Sequence, residues 1–395
     1  MSVVKEGWTY KKLGEVCEVL NGFAFKSELF KNSGLPILRI SNIQDNRIVD
    51  DGFVYFDKSS YPKIDLNKYK VNPTELVIAM SGATTGKVGI NSTSKILYLN
   101  QRVGLLREDS TLLKKKYLFY FMQTKSSESL EIASGVAQPN LSTKQIKDFQ
   151  IPVPPLPTQQ SIVSELDKIN ELIALKESQL KDLDALAQSI FYDMFGDPIT
   201  NEKGWEVKKM EDLCTNIVDC PHSTPKKSDS VTKYPCIRTS ELKGGSISWD
   251  TMQYLEKEEY EIRIARLKPE AGDIVFGREG TIGDAVILPK GYNFSLGQRT
   301  MLLRANTEII SNVFLLKVIL SEWIKLQIEY VNVSSTVAHV NIKDFKQFTV
   351  PLPPLSLQHQ FAERVESIER MKQQVQTAIK ELETLLASRM QYWFD

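Results

Sequence analysis

With 395 residues, 42% of them hydrophobic and 25% charged, the chain is long enough for two or three domains and too apolar to be disordered. Its 49 Lys and Arg balance 49 Asp and Glu, which argues against a uniformly basic coat for nucleic acid. Four cysteines are too few for a disulfide framework and fit a reducing cytosol. The opening MSVVKEGWTYKKLGEV lacks the apolar stretch of a signal peptide, and the longest apolar runs, such as VFLLKVIL, are too short to span a bilayer.

In chain order, PILRI, ELVIAMS, ILYLN and RVGLLR are short, rich in β-branched and aromatic residues and bounded by Gly, Asn or Asp, which predicts strands. LLKKKYLFYFMQTK then has helical spacing. A proline-rich corner, PVPPLP, precedes a long amphipathic stretch, and a turn-like FGDPITNEKG follows it. We read PVPPLP as a rigid domain-to-helix corner rather than a ligand for a proline-binding groove, because proline at a helix start forfeits no helical hydrogen bond.

The whole plan then repeats. GWTYKKLGEVCEV at Gly7 returns as GWEVKKMEDLCTN at Gly204, LVIAMSGATTGKVGI at Leu76 as DIVFGREGTIGDAVI at Asp273, and LYLNQRVGLLR at Leu97 as FSLGQRTMLLR at Phe294. IPVPPLPTQQSIV at Ile151 returns as VPLPPLSLQHQFA at Val350. The expected order is a globular α+β unit (1–157), a long helix (158–196), a second unit (197–356) and a second helix (357–395).

Both long stretches carry a heptad seam. Ile162, Leu166, Ile169, Ile173, Lys176, Leu180, Leu183, Ala187, Ile190 and Met194 alternate steps of four and three, as do Phe361, Val365, Ile368, Lys372, Val375, Ile379, Leu382, Leu386, Arg389 and Trp393. Two seams of equal length in one chain can bury each other. Antiparallel pairing sets Lys176 against Ile379 and Lys372 against Leu183; the pattern alone permits a parallel arrangement equally well. Arg389 is expected to weaken its end of the seam. A helix of this length spans ~57 Å at 1.5 Å per residue. The helices carry the negative excess; outside them 41 basic residues face 36 acidic ones.

Several catalytic signatures fail. SGATTGKVG is one residue too short for a phosphate loop and has Val88 where Ser or Thr is needed, and GREGTIG lacks dinucleotide-binding spacing. No Asn/Asp-Pro-Pro-Tyr/Phe methyltransferase motif is present, and three histidines without repeated partners argue against a histidine-based nucleophile site. Cys214, Cys220, His222 and Cys236 match no usual zinc spacing, so buried thiols and no metal site are expected.

What recurs suits a polyanion: glycine loops leaving strands, with hydroxyls and cations beside them. The candidate residues in the first unit are Arg39, Asn42, Thr84, Lys87, Gln101, Arg102 and Asn140. Those in the second are Arg238, Ser240, Arg278, Thr281, Arg299, His339 and Asn341, with VAQPNL and VAHVNI aligning Asn140 to Asn341. Gln and Arg can contact adenine and guanine edges in bidentate fashion. A repeated residue can equally serve the fold, because base-reading positions should differ between two copies.

The doubled junction of strand, P-x-PP-L, Gln and heptad helix, the repeated GW opening and the glycine loops, in this order over essentially the whole chain, resemble the DNA-specificity subunit of type I restriction-modification enzymes. The resemblance implies two target-recognition domains separated by two long helices in an antiparallel coiled coil. Each domain would read half of a bipartite site in double-stranded DNA, with the helices as a ruler of at most ~17 base pairs at ~3.4 Å per pair. It implies a non-enzymatic cytoplasmic subunit whose partners are two methyltransferase subunits and the restriction subunits. S-adenosylmethionine, ATP and magnesium would be used only by those partners. A DNA-cleaving enzyme and a coiled-coil adaptor without nucleic acid are the rival readings.

Overall fold

A computed structural model describes residues 7–44, 46–134, 140–332 and 339–395. The chain forms two compact units, residues 1–177 with 377–395, and residues 178–376. Each long helix therefore gives one half to each unit, where the sequence reading had set the helices apart as segments of their own.

In the first unit, six strands run in the order Cys17–Asn21, Val103–Glu108, Leu76–Ala79, Val88–Ile90, Arg47–Ile48, Ile43–Gln44. A four-stranded sheet, Val54–Phe56, Leu35–Leu38, Leu97–Leu99, Lys70–Val71, lies in the same unit. Residues such as Leu76, Val77, Leu105 and Leu106 are buried on both faces, which is why the segments read as continuous apolar runs rather than as alternation. The second unit repeats the central part, Cys214–Asp219, Thr300–Ala305, Ile274–Gly277, Ala285–Ile287, and the smaller sheet as Gln253–Tyr254, Pro235–Ile237, Ser295–Leu296.

The expected helix LLKKKYLFYFMQTK is Lys115–Thr124. A second helix, Ser126–Ser134, follows it, and the second unit repeats the pair as Asn312–Ile319 and Glu322–Asn332. The repeated GW openings acquire a purpose. Thr9–Lys12 pairs antiparallel with Gln150–Val153, and Glu206–Lys209 with Thr349–Leu352. Each opening strand thus braces the strand that feeds the proline corner.

The long helices are Leu156–Phe195 and Leu355–Phe394. One residue of the corner motif fixes how each leaves its unit. Gln159 is fully buried; its Oε1 accepts from Lys114 N at 2.8 Å, and its Nε2 donates to Leu112 O and Pro154 O at 2.8 Å each. Gln358 repeats this clasp: Oε1 accepts from Ser311 N at 2.8 Å, and Nε2 donates to Pro353 O at 2.8 Å and Ile309 O at 3.3 Å. Three hydrogen bonds tie each buried amide to backbone of the loop and corner, so helix direction is tied to the globular part.

The helices pair antiparallel, and all twenty seam positions are buried or half-buried while most residues between them are exposed. In the first unit Glu165 accepts from Arg389 and from Trp393 Nε1, the latter at 3.0 Å. In the second unit Lys372 Nζ lies 2.8 Å from Asp184 and 3.2 Å from Glu369, and Phe361 packs edge-on against Phe191 and Phe195. Lys372 therefore enters the seam with two carboxylates at its head. Arg389, expected to weaken its end, is instead paired with Glu165 and lies over the Tyr392 and Trp393 rings at 4.8 and 5.0 Å. The end is further held by Phe394, buried against Tyr117 and Phe121.

Candidate nucleic-acid interface

Backbone hydrogen bonds, not side chains, bring the candidates together. In the first unit the strand Leu76–Ala79 runs on into Met80 and Ser81. Met80 N donates to Arg102 O at 2.9 Å, Leu141 N donates to Met80 O at 2.7 Å, and Ser81 bridges Asn140. Asn100 N donates to Leu38 O at 3.1 Å, which brings in the Arg39–Asn42 turn. Four sequence-distant segments thus converge on one tip. Gly82 begins the tip loop at φ +76°, a left-handed conformation that suits glycine.

The second unit repeats the wiring. Arg278 N donates to Arg299 O at 2.9 Å, Val340 N donates to Arg278 O at 2.9 Å, and Glu279 bridges His339. Gly280 sits at φ +76°, as Gly82 does. The hydrogen bonds therefore align Met80 with Arg278, Ser81 with Glu279, Arg102 with Arg299 and Asn140 with His339. From Gly82 to Gly86 the first loop has one residue more than Gly280 to Gly283, which is why the repeat offset wavers along the sequence.

This wiring corrects one sequence alignment. Asn341 is not the counterpart of Asn140. It caps the helix Ile342–Gln347, accepting from Asp344 N at 2.9 Å, as Ser142 caps Thr143–Lys147 by accepting from Gln145 N at 3.2 Å. Asn and Ser both make good helix caps, so the match of the letter Asn misled the alignment.

The other candidates fall into two groups. Asn42 is fully enclosed, accepting from Arg39 N at 3.0 Å and donating to Asp51 O at 3.1 Å, so it shapes its turn. Arg39 is half-buried and donates to Gly52 O at 3.0 Å. Thr84 is half-buried, and its hydroxyl has no hydrogen-bond partner among the described residues. Thr281 donates to Thr239 O at 3.0 Å. Arg238 and Ser240 both donate to Glu241, at 2.6 and 2.7 Å, and Glu241 is fully buried. Arg278 donates to both oxygens of Asp219 at 2.6 Å. The exposed candidates are Lys87, Gln101, Arg102 and Asn140 on the first tip and Ser240, Arg299 and His339 on the second.

The candidates read from the sequence omit Asp219 and Glu279, and His222 is weighed there only as a metal ligand. His222 Nε2 lies 3.2 Å from Asp219, and a cavity of about 160 Å³ is lined by Cys220, His222, Arg278, Glu279, Gln298 and Arg299. Matched positions single out Asp219, which the strand register aligns with Asn21, and Glu241, which the turns align with Asn42; they give no signal for His222. The thiols behave as interior groups. Burial pushes Cys214 up to about 12 and Cys236 up to about 11, so neither is a thiolate near neutrality. Among the described residues no group of three or more His, Cys, Asp or Glu is placed to hold a metal, and no helix is long and apolar enough to cross a membrane.

Comparison with known proteins accounts for the doubled architecture. The sequence model described as the type I restriction modification DNA specificity domain matches twice, over residues 5–185 and 202–384. The chain is 23% identical to the EcoBI specificity subunit of Escherichia coli, over 98% of this chain and 85% of the relative. It is 23% identical to the MjaVIII specificity subunit of Methanocaldococcus jannaschii, over 83% of this chain and 81% of the relative. Among solved structures it resembles the S subunit of a type I restriction-modification system from M. genitalium, with a TM-score of 0.55, 14% identity and coverage of 100% and 98% of the two chains. It also resembles a chain from a study of type I system assembly and conformational transition, with a TM-score of 0.61, 15% identity and coverage of 99% and 98%. The chain belongs to the type I restriction-modification DNA-specificity family, as a specificity subunit with two DNA-recognition domains.

Proposed function

We propose that each tip reads one half of a bipartite site in double-stranded DNA, with the antiparallel helices setting the spacing and offering a docking face to two methyltransferase subunits. The observation that carries this reading is the pair of tips. The same backbone wiring gathers four distant segments at Met80–Ser81 and again at Arg278–Glu279, yet the side chains presented differ. A shared frame with changed side chains is what two readers of different sequences require.

On this reading the exposed Lys87, Gln101, Arg102, Asn140, Ser240, Arg299 and His339 touch DNA. The buried Asn42 and the half-buried Arg238, Arg278 and Asn341, each held by hydrogen bonds, position the loops, and Arg39, Thr84 and Thr281 line them. The subunit itself is non-catalytic. Methylation with S-adenosylmethionine, and cleavage with ATP and magnesium, belong to the methyltransferase and restriction partners in the cytoplasm.

The test is to co-express the chain with the methyltransferase subunit of its own system and map methylated adenines across the host genome. A bipartite motif with a fixed gap, lost when this chain is omitted, is the expected result. A stable complex that methylates nothing overturns the reading in favour of an adaptor. Magnesium-dependent cleavage by the chain alone would establish an enzyme instead.

A further inference from the structure

The three arginines of the second tip are each matched to a carboxylate, but the pairs differ in access. Arg238 with Glu241 and Arg278 with Asp219 are interior pairs, with Glu241 fully buried and the Arg278 side chain 11% exposed. Only in the pair of Arg299 Nε and Glu279 Oε2, 3.3 Å apart, can an incoming molecule reach both members: their side chains are 63% and 37% exposed. This pair is also the most constrained in backbone. Arg299 sits at φ +66°, a left-handed conformation that costs a residue with a side chain, and it is held there by Arg278 N donating to its carbonyl. Glu279 is fixed by its bridge to His339. Both side chains line the 160 Å³ cavity beside His222 and Gln298.

We propose, resting on the DNA-reading function above, that Arg299 and Glu279 together read one G·C base pair in the second half-site. In the major groove guanine offers two acceptors, N7 and O6, and its cytosine partner offers one donor, the N4 amino group. A guanidinium beside a carboxylate is the complementary pattern, with donors for guanine and an acceptor for cytosine. An A·T pair places a donor and then an acceptor where these groups need the reverse. The carboxylate also explains why the arginine is selective. An uncompensated arginine binds any phosphate, whereas Glu279 repels the backbone and leaves the base edge as the better contact. The first tip has Arg102 at the matching place but Ser81 in place of the carboxylate, so it lacks this discriminator.

The experiment uses the complex of this chain with its methyltransferase subunit and a pool of duplexes randomised at every position of the methylated motif. Arg299→Lys and Glu279→Gln are nearly isosteric and exposed; a melting temperature within a few degrees of the parent confirms that each folds. Arg102→Lys, which shifts the other half-site, tells the halves apart. The expected result is one G·C position in the second half-site at which preference falls roughly 10- to 100-fold in Arg299→Lys, the worth of one good bidentate contact. Glu279→Gln is expected to lose the same preference, because the amide also donates, while its non-specific affinity rises. The proposal is overturned if both variants keep the base preference and change only overall affinity, Arg299→Lys downward and Glu279→Gln upward, which is the signature of a phosphate contact. It is overturned equally if the second half-site has no G·C position. A parent complex with no sequence preference removes the DNA-reading function itself, and so is distinguishable from either result.

Discussion

The feet and the tips of the two units make opposite comparisons. At the foot, where each long helix leaves its unit, the copies are the same down to single hydrogen bonds: Gln159 and Gln358 are both fully buried and both bond three backbone groups. At the tip the backbone wiring is kept but the charge is not. Asn21, Asn42 and Ser81 of the first unit stand where the second has Asp219, Glu241 and Glu279, and Met80 stands where it has Arg278. Lys87 and Asp284 are also matched, since Ala79 N donates to Lys87 O as Gly277 N donates to Asp284 O, both at 2.8 Å. The glutamine clasp is kept atom for atom, whereas at the tip the charge changes both at enclosed positions, Asn42 against Glu241, and at more open ones, Ser81 against Glu279. The shared clasp is a guide to folding, and the more open of the differing positions are a guide to recognition.

The largest effect should come from breaking what is shared. Gln159→Leu and Gln358→Leu each remove three hydrogen bonds to buried backbone, at about 1 kcal/mol per bond, so each should destabilise its unit by about 3 kcal/mol. Hydrogen exchange of the partner amides, Lys114 N or Ser311 N, measures each unit separately. Equal losses are expected, and a copy that tolerates the change would break the equivalence of the feet. At the tip, Arg278→Met supplies the first unit's residue and takes the arginine from Asp219, whose side chain is only 18% exposed and keeps His222 3.2 Å away. A loss of about 2 kcal/mol is expected, the scale of a hydrogen bond to a charged group. The double variant Arg278→Met/Asp219→Asn should recover most of it, because it leaves no carboxylate without its arginine and places the first unit's neutral residues at both positions.

A smaller effect separates the units by pH. The Glu165 carboxyl is held below its ordinary value of 4.5, chiefly by the hydrogen bond from Arg389, with Trp393 adding to it. Its contribution is present above the unfolded value and is lost as pH falls below about 4.5, through the folded value. In the second unit burial alone would lower Lys372, but Asp184 and Glu369 outweigh it and raise it above 10.5. That contribution is present below 10.5 and lost as pH rises past it, while neighbouring Lys317, lowered mainly by burial, acts in the opposite sense. Acid should therefore loosen the helix pairing of the first unit before that of the second, and Glu165→Gln should remove the difference. The pair is half-buried, with side chains 31% and 34% exposed and open to screening, so the change should be within about 1 kcal/mol.

The sequence made the helices legible because burial there follows a period. Every seam position named from steps of four and three is buried or half-buried. It also made the doubled junction visible, but its glutamine looked like one polar letter among several. Only the fold shows that Gln159 faces Leu112 and Lys114, residues 47 and 45 positions away. Site residues were harder to read for the same reason. Asn42 and Asn341 are polar because turns and helix starts need a capping acceptor, which Glu241 and Ser142 supply at the matching positions, and that need imitates a binding site. Arg102 and Arg299 were legible because the Gln-Arg pair recurs with its strand. Glu279 was not, because its matching residue is Ser81 and nothing in the sequence places either beside the Gln-Arg turn.

The smallest free-energy change tests the charge difference most directly. A cation that neutralises one phosphate contributes about 0.9 to the slope of log affinity against log salt. Lys87 is exposed on the first tip, and its counterpart Asp284 carries the opposite sign. Lys87→Ala should flatten the slope by about 0.9 and weaken all duplexes alike, because a phosphate contact carries no base information. Asp284→Lys should steepen it by a similar amount and raise affinity for duplexes lacking the motif, bringing the second tip closer to the first. The two changes are read in one titration of the methyltransferase complex with specific and scrambled duplexes across salt. If Lys87→Ala instead alters which base is preferred, Lys87 is a reader, and the division of the first tip into a phosphate-holding loop and a base-reading turn at Gln101 and Arg102 fails with it.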